Sequence, residues 1–339
     1  MAKEVKRRVQ VTGGSTHIIS LPIEWIKKMG ISRGDEVRLV FRADDTVLIG
    51  GKEGKEISKA VIGVSPEETI EEVYRSLIAH YLAGNDLIKL SFKEEISKDD
   101  KKWMKNAVRK RLMGLEVVGE SGTEMVFRSF INYEDFPLSE VLKSIHDIVE
   151  SMQEDAMAAL GDGNMLLAED VIQRDNEVDR FYLLAVRQLK AAIGSPDIGK
   201  RIGITEPKAA LGYRIVVKSM ERIGDHMKKV AGNVLQIGHK MDVPQIFDMY
   251  EAIKDIYSSS LEILSERDVK GANQKINDAE MVVKKSIKVK EGLLKGECVP
   301  SEMICLLSIV DSLVRVTEYI EDIGEICINM GANSIIKGN

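Results

Sequence analysis

Three short patterns recur in the last 200 residues of this 339-residue chain at a nearly constant offset. Ile145-His-Asp-Ile148 returns as Ile253-Lys-Asp-Ile256, Asp175-Asn-Glu-Val178 as Asp278-Ala-Glu-Met281, and Glu221-Arg-Ile-Gly-Asp225 as Glu321-Asp-Ile-Gly-Glu325; the offsets are 108, 103 and 100 residues. A repeat of about 100 residues with helical periodicity holds three long helices and their turns. Residues 137–339 are therefore expected to be all-α, with six helices in two three-helix repeats at about 137–240 and 241–333. Glycine and proline supply breaks at Gly161-Asp-Gly-Asn164, Gly194 to Pro207, Gly238 to Pro244 and Gly292 to Pro300.

The preceding residues lack that periodicity. Up to about Glu53, apolar and polar residues alternate in short runs. Val5 to Thr12 reads as a basic strand, Gly13-Gly14-Ser15 as a turn, Ile18 to Leu21 as a strand ended by Pro22, and Ile23 to Met29 as a short helix closed by Gly30. Glu36 to Phe41 and Thr46 to Ile49 read as a hairpin around Asp44-Asp45. A sheet this small buries too little surface alone, so pairing with a second chain is expected. Residues 55–136 interleave strand-like runs (Ile57 to Val64, Asp86 to Phe92, Leu115 to Glu120, Glu124 to Phe130) with helices over Ser65 to Leu82 and Lys98 to Met113. That order suggests a small α+β, ferredoxin-like linker domain, and no motif in it carries chemistry.

No apolar run approaches the roughly 20 residues that span a bilayer, the basic start lacks a signal-peptide stretch, and Cys298, Cys305 and Cys327 form no CxxC pair. A cytoplasmic protein without membrane insertion is expected. Of the net charge of −6, residues 1–54 contribute +3, so a basic head precedes a body of −9. The head thereby suits a polyanion and the body a cation, although ordinary surface variation between domains produces the same pattern.

The chemistry of the helical part centres on carboxylates. Asp175 with Asp179, and Glu221 with Asp225, stand four residues apart, so each pair shares one helix face. Like charges so placed cost a helix roughly 0.2–0.5 kcal/mol unless something positive joins them. Two such pairs on neighbouring helices would suit a hard cation bound through oxygen: magnesium, manganese, calcium or ferric iron, with zinc also admissible. Solvated helix faces carry the same spacing, which by itself does not choose. Enzyme motifs fail: Gly194-Ser-Pro-Asp-Ile-Gly-Lys-Arg201 imitates a phosphate loop but ends in Arg where Ser or Thr must hold magnesium, and no histidine has Glu three residues before it, as a di-iron bundle requires.

Two resemblances sharpen these readings. Val9-Gln-Val-Thr-Gly-Gly-Ser15, Ile18-Ile-Ser-Leu-Pro-Ile-Glu-Trp-Ile26 and Met29-Gly-Ile-Ser-Arg-Gly-Asp-Glu-Val37 resemble the AbrB/SpoVT family of swapped-hairpin domains. The resemblance implies an intertwined homodimer whose basic residues meet DNA, here Lys6, Arg7, Arg8, Lys27 and Lys28. Ala168-Glu-Asp-Val-Ile-Gln-Arg-Asp-Asn-Glu-Val-Asp179 and Met220-Glu-Arg-Ile-Gly-Asp-His-Met-Lys-Lys-Val-Ala231 resemble the two signature helices of the PhoU family of phosphate uptake regulators. That family's acidic motifs bind metal clusters, and its members act with phosphate transporters and signalling proteins. By this resemblance Asp175, Asp179, Glu221 and Asp225 are metal ligands for iron, zinc, manganese or magnesium. Asp278, Glu321 and Glu325 form a poorer second set, because Val282 stands where another acid belongs.

Together these imply a phosphate-responsive regulator, not an enzyme, with a DNA-binding head and a metal-binding helical body that controls phosphate uptake or its genes. An accessory protein acting on a phosphate transporter or kinase without DNA contact is the alternative, and a metal-dependent phosphohydrolase a third.

Overall fold

The computed structural model describes residues 4–41, 46–50, 57–133, 135–204 and 206–335. Two compact units divide the chain, Met1–Ile57 and Ser58–Asn339.

In the first unit, β1 (Gln10–Thr12) and β2 (Thr16–Ile18) form an antiparallel hairpin with Gln10 opposite Ile18, turning through Gly13 and Gly14 at positive φ. Pro22 precedes α1 (Ile23–Lys28), and β3 (Arg38–Phe41) pairs antiparallel with β4 (Val47–Gly50). The turn expected around Asp44-Asp45 lies outside the described residues. The basic strand expected from Val5 begins only at Gln10, since β2 offers three residues to pair with and the chain before Gln10 has no ladder partner. None of the residues in this unit whose exposure is described is buried, and Val9, Val11, Ile23 and Phe41 stand in solvent.

The second unit opens with an α+β layer: β5 (Lys59–Val64), α2 (Ile70–Leu82), β6 (Leu87–Phe92), α3 (Lys98–Arg111), β7 (Leu115–Glu120) and β8 (Glu124–Ser129). β5 and β6 are parallel neighbours and the sheet order is β5-β6-β8-β7. This differs from the ferredoxin-like order, because α2 returns the chain to the adjacent position instead of leaving room for a strand between β5 and β6. Helix α2 also starts five residues later than expected. Ser65 closes a turn with Glu68, while Thr69 and Glu72 form a reciprocal capping box that sets the helix start. One sheet face packs Ile88, Leu90, Met125 and Phe127 against Leu77, Tyr81, Met104 and Val108 of α2 and α3.

The rest is helical: α4 (Leu138–Asp162), α5 (Met165–Gly194), a short α6 (Pro196–Arg201), α7 (Ala209–Ile237), α8 (Pro244–Ser258) continued by α9 (Ser260–Glu266), α10 (Val269–Leu293) and α11 (Pro300–Ile335). Helices α4, α5 and α7 pack on one another, α8, α10 and α11 do likewise, and the α7–α11 seam joins the two sets around one continuous apolar core. Helix α5 also contacts α2 and α3 and so ties the layer to the bundle. Helix α4 ends at Gly163, whose φ of 69° is left-handed and whose missing Cβ would lie 2.6 Å from the Lys240 backbone nitrogen. Gly163→Ala is therefore expected to lower stability by at least about 1 kcal/mol in urea unfolding, since alanine is strained there even before the clash.

Candidate functional site

The first-repeat acids converge where α5 crosses α7. Helix α5 starts at an Asn164 cap whose side chain accepts from the Leu167 N–H, and its apolar stripe through Val171, Val178 and Leu184 turns Asp175 and Asp179 toward α7. On α7, Gly224 permits a close approach: a Cβ there would sit 3.4 Å from Val178. Asp225, beside this contact, thereby comes within electrostatic reach of Asp175, and Glu221 lies one turn away on the same helix within reach of Asp225. Asp175, Asp179 and Glu221 are buried, at 4%, 8% and 8% exposure.

Each carboxylate is met by a cation of the chain itself. Lys228 Nζ donates to Asp175 at 2.6 Å. Arg111, from the end of α3, donates through Nε to Asp179 at 3.0 Å and through a second nitrogen to the same oxygen. Lys218 binds Glu221, and Arg222 donates to Asp225 at 3.0 Å. Burial pushes the Asp175 carboxyl above its ordinary range, Asp179 and Asp225 push it further, and Lys228 pulls against them. Burial likewise raises Glu221, with Asp225 adding to it and Lys218 opposing. The Lys228 ammonium is held above its usual value by its bond to Asp175. His226, next to Asp225, is lowered by burial and by Lys229 and Arg315 nearby. Its ring lies 5.9 Å from that of Tyr319, across the α7–α11 seam.

The weaker set on α10 and α11 is built differently. Asp278 accepts from Gln274 at 3.0 Å. Glu321 is raised by burial and then by Glu280, Glu325 and Asp322, with no basic side chain bonded to it among the described residues. In the head, Lys6, Arg7 and Arg8 are exposed ahead of β1, Lys6 lies 4.0 Å from Glu4, and Lys27 and Lys28 are exposed in the last turn of α1.

The donor chemistry of the α5–α7 cluster, hard carboxylate oxygen, suits the expected metals, but its occupancy does not. The four acids are neutralised by four side-chain cations, and among the described residues no group of three or more His, Cys, Asp or Glu side chains is placed to hold a metal ion. The arrangement as it stands is an ion-pair knot linking α3, α5 and α7. Sequence reasoning missed its cations. Lys218 and Arg222 stand three residues from Glu221 and Asp225, a spacing that could have flagged them, whereas Arg111 is 68 residues from Asp179 and left no local signal. Arg187, 1% exposed, was missed too: it donates to the Tyr81 and Asn85 carbonyls and to Asp86, and stacks over the Tyr81 ring.

The PhoU domain family matches residues 142–234, and the antidote-toxin recognition MazE, bacterial antitoxin family matches residues 10–55. The chain is 27% identical over 143 residues to a phosphate-specific transport system accessory protein PhoU homolog of Pseudomonas putida, covering 40% of this chain and 52% of that one. A protein of the same description from Pseudomonas aeruginosa is 27% identical over 146 residues, 41% of this chain and 56% of that one. The chain thus spans about half the length of the curated relatives it matches. The crystal structure of the phosphate transport system regulatory protein PhoU from Streptococcus pneumoniae superimposes with a TM-score of 0.51 at 17% identity, covering 58% of this chain and 94% of that one, a likeness of fold. No helix among the described residues is long and apolar enough to cross a membrane.

Proposed function

We propose that this chain, which joins a PhoU domain match to a MazE-type domain match, is a phosphate-responsive regulator. It binds DNA through its first unit, relays phosphate status through its helical body, and controls phosphate uptake or its genes in the cytoplasm. The conjunction of the two matches in one chain carries this reading. We read the helices as two three-helix repeats and the head as one half of a swapped-hairpin homodimer. The absence of buried residues among those described in the head supports that, because Val9, Val11 and Phe41 need a second copy to leave water. Lys6, Arg7, Arg8, Lys27 and Lys28 are the phosphate contacts. Arg7→Ala with Arg8→Ala is expected to weaken duplex binding and leave the dimer intact, lowering the log–log salt slope by about 0.9 for each phosphate no longer neutralised. Unchanged affinity and slope would leave an accessory protein acting on a phosphate transporter or kinase, in line with the phosphate-transport role that the relatives' names describe for those proteins.

For the carboxylate cluster, a bound divalent or ferric ion is the second reading. It draws support from the burial of Asp175 and Glu221, which raises both even with cations beside them, and from Asp179 and Asp225, which push Asp175 further while Asp225 adds to Glu221. Such an ion would have to displace Lys228, Arg111, Lys218 and Arg222.

A further inference from the structure

Helix α3 carries seven Lys and Arg among its 14 residues, with Asp99 and Asp100 its only acids. Its charge of +5 sits in a stretch, residues 55–339, whose total is −9, so the remainder of that stretch is −14. Both acids lie in the first turn, where they complement the helix N-terminus, and Asp100 is further tied to Ser97. The cations run on through every later turn. Lys98, Lys101, Lys102, Lys105, Asn106 and Arg109 line one shallow depression of about 340 Å³ beside the β7–β8 hairpin. Two of them are anchored to that hairpin: Lys101 donates to the Ser121 carbonyl at 2.6 Å, and Lys105 pairs with Glu120, the depression's one acid. Among the described residues, the side chains of Lys98, Lys102 and Arg109 have no hydrogen-bond or ion-pair partner.

Cations three and four residues apart repel along a helix unless an anion lies between them. The row spans 12 residues from Lys98 to Arg109, about 16 Å at the helical rise, too long for one compact anion to bridge. Its complement is an anion with charges repeated along a line. We propose that this face of α3 is a second nucleic-acid contact, which grips the phosphate backbone of a duplex without reading bases: Lys98, Lys102 and Arg109 reach phosphates, while Lys101 and Lys105 stay pinned to the hairpin. The inference deepens the DNA reading of the first unit but rests on different residues, so the two can fail separately.

The test is a titration of the full-length chain against a duplex of mixed sequence at a series of salt concentrations. Lys98→Gln, Lys102→Gln and Arg109→Gln are introduced together, alone and on the Arg7→Ala, Arg8→Ala background. Glutamine keeps helix propensity, and circular dichroism checks that α3 survives. With three fewer phosphates neutralised, the log–log slope is expected to fall by about 2.7, so that the variant sheds on the order of 40-fold less affinity than the parent between 50 and 200 mM salt. This effect is expected on both backgrounds, whereas a failed head assignment shows as Arg7→Ala, Arg8→Ala having no effect. Equal affinity and slope for parent and triple variant overturn the proposal, as does a parent chain that binds no duplex. Displacement of the duplex by inorganic polyphosphate that is identical for parent and variant also overturns it, because the competing anion would then be acting elsewhere.

Discussion

Replacing Arg187 with leucine is expected to destabilise the unit from Ser58 onward by about 3 kcal/mol, the range for removing one partner of a buried charge network. The guanidinium is 1% exposed, rises from α5 into the α+β layer, and donates to two backbone carbonyls at the end of α2, those of Tyr81 and Asn85, and to Asp86 at 3.1 Å. Leucine fills part of the volume but removes the guanidinium donors, leaving the Tyr81 carbonyl only its bond from the Gly84 N–H, the Asn85 carbonyl without its side-chain donor, and Asp86, 31% exposed, without its cation; each buried unmet acceptor costs about 1–3 kcal/mol. Stacking over Tyr81 disappears as well. A fall in Tm of roughly 5 °C follows for a unit of this size. Arg187→Lys is expected to recover less than half of the stability, since an ammonium cannot reproduce the planar fork that spans three acceptors. A melting shift corresponding to less than about 1 kcal/mol would show that α5 and the layer are held together by their apolar contacts instead.

The second large effect is expected at Lys228, and it also separates the two readings of the carboxylate cluster. Lys228→Met leaves Asp175, whose side chain is 5% exposed, without its cation. Because the ammonium itself is 46% exposed, its removal is put at about 2 kcal/mol at pH 7, below the 3–5 kcal/mol of a fully buried pair. The pH dependence has a definite sign. Asp175 is already raised by burial and by its acidic neighbours, and removing Lys228 raises it further. An acid raised on folding favours the folded state while protonated, so the variant should match the wild type below about pH 4 and fall behind as pH climbs through the raised value. Paired urea titrations at pH 4 and pH 7 measure this.

With a metal in the cluster the outcome differs. Wild type would then carry ion by elemental analysis, its melting would drop on addition of a chelator, and Asp175→Asn with Asp225→Asn would abolish both. In the ion-pair reading, wild type melts alike with and without chelator, and Lys228→Met gains affinity for added manganese or magnesium because a carboxylate has been freed.

Much of the helical body could be read from the chain, since helix periodicity and glycine breaks are local. The long helices fall close to the spans that the breaks at Gly161, Gly194, Gly238 and Gly292 imply. The four carboxylates were legible for the same reason: i, i+4 spacing puts each pair on one face whatever else the chain does. The start of the helix over 70–82 was harder to place, because Ser65 and Thr69 both offer caps and only Thr69 has a glutamate three residues on that completes a reciprocal capping box. The order β5-β6-β8-β7 was not legible, since strand neighbours are chosen by which apolar faces fit against α2 and α3.

By itself the sequence determined which residues carry charge, which helix face they share, and the local partners Lys218 and Arg222, because a helix fixes what lies three and four residues away. Only the tertiary structure decided what those charges meet. Arg111 reaches Asp179 across 68 residues and Lys228 reaches Asp175 across 53, since α3, α5 and α7 are brought together by burial of apolar faces that say nothing of the charges riding on them. The four acids thus each meet a cation of the chain itself, because a carboxylate drawn out of water takes the nearest counter-ion that packing delivers.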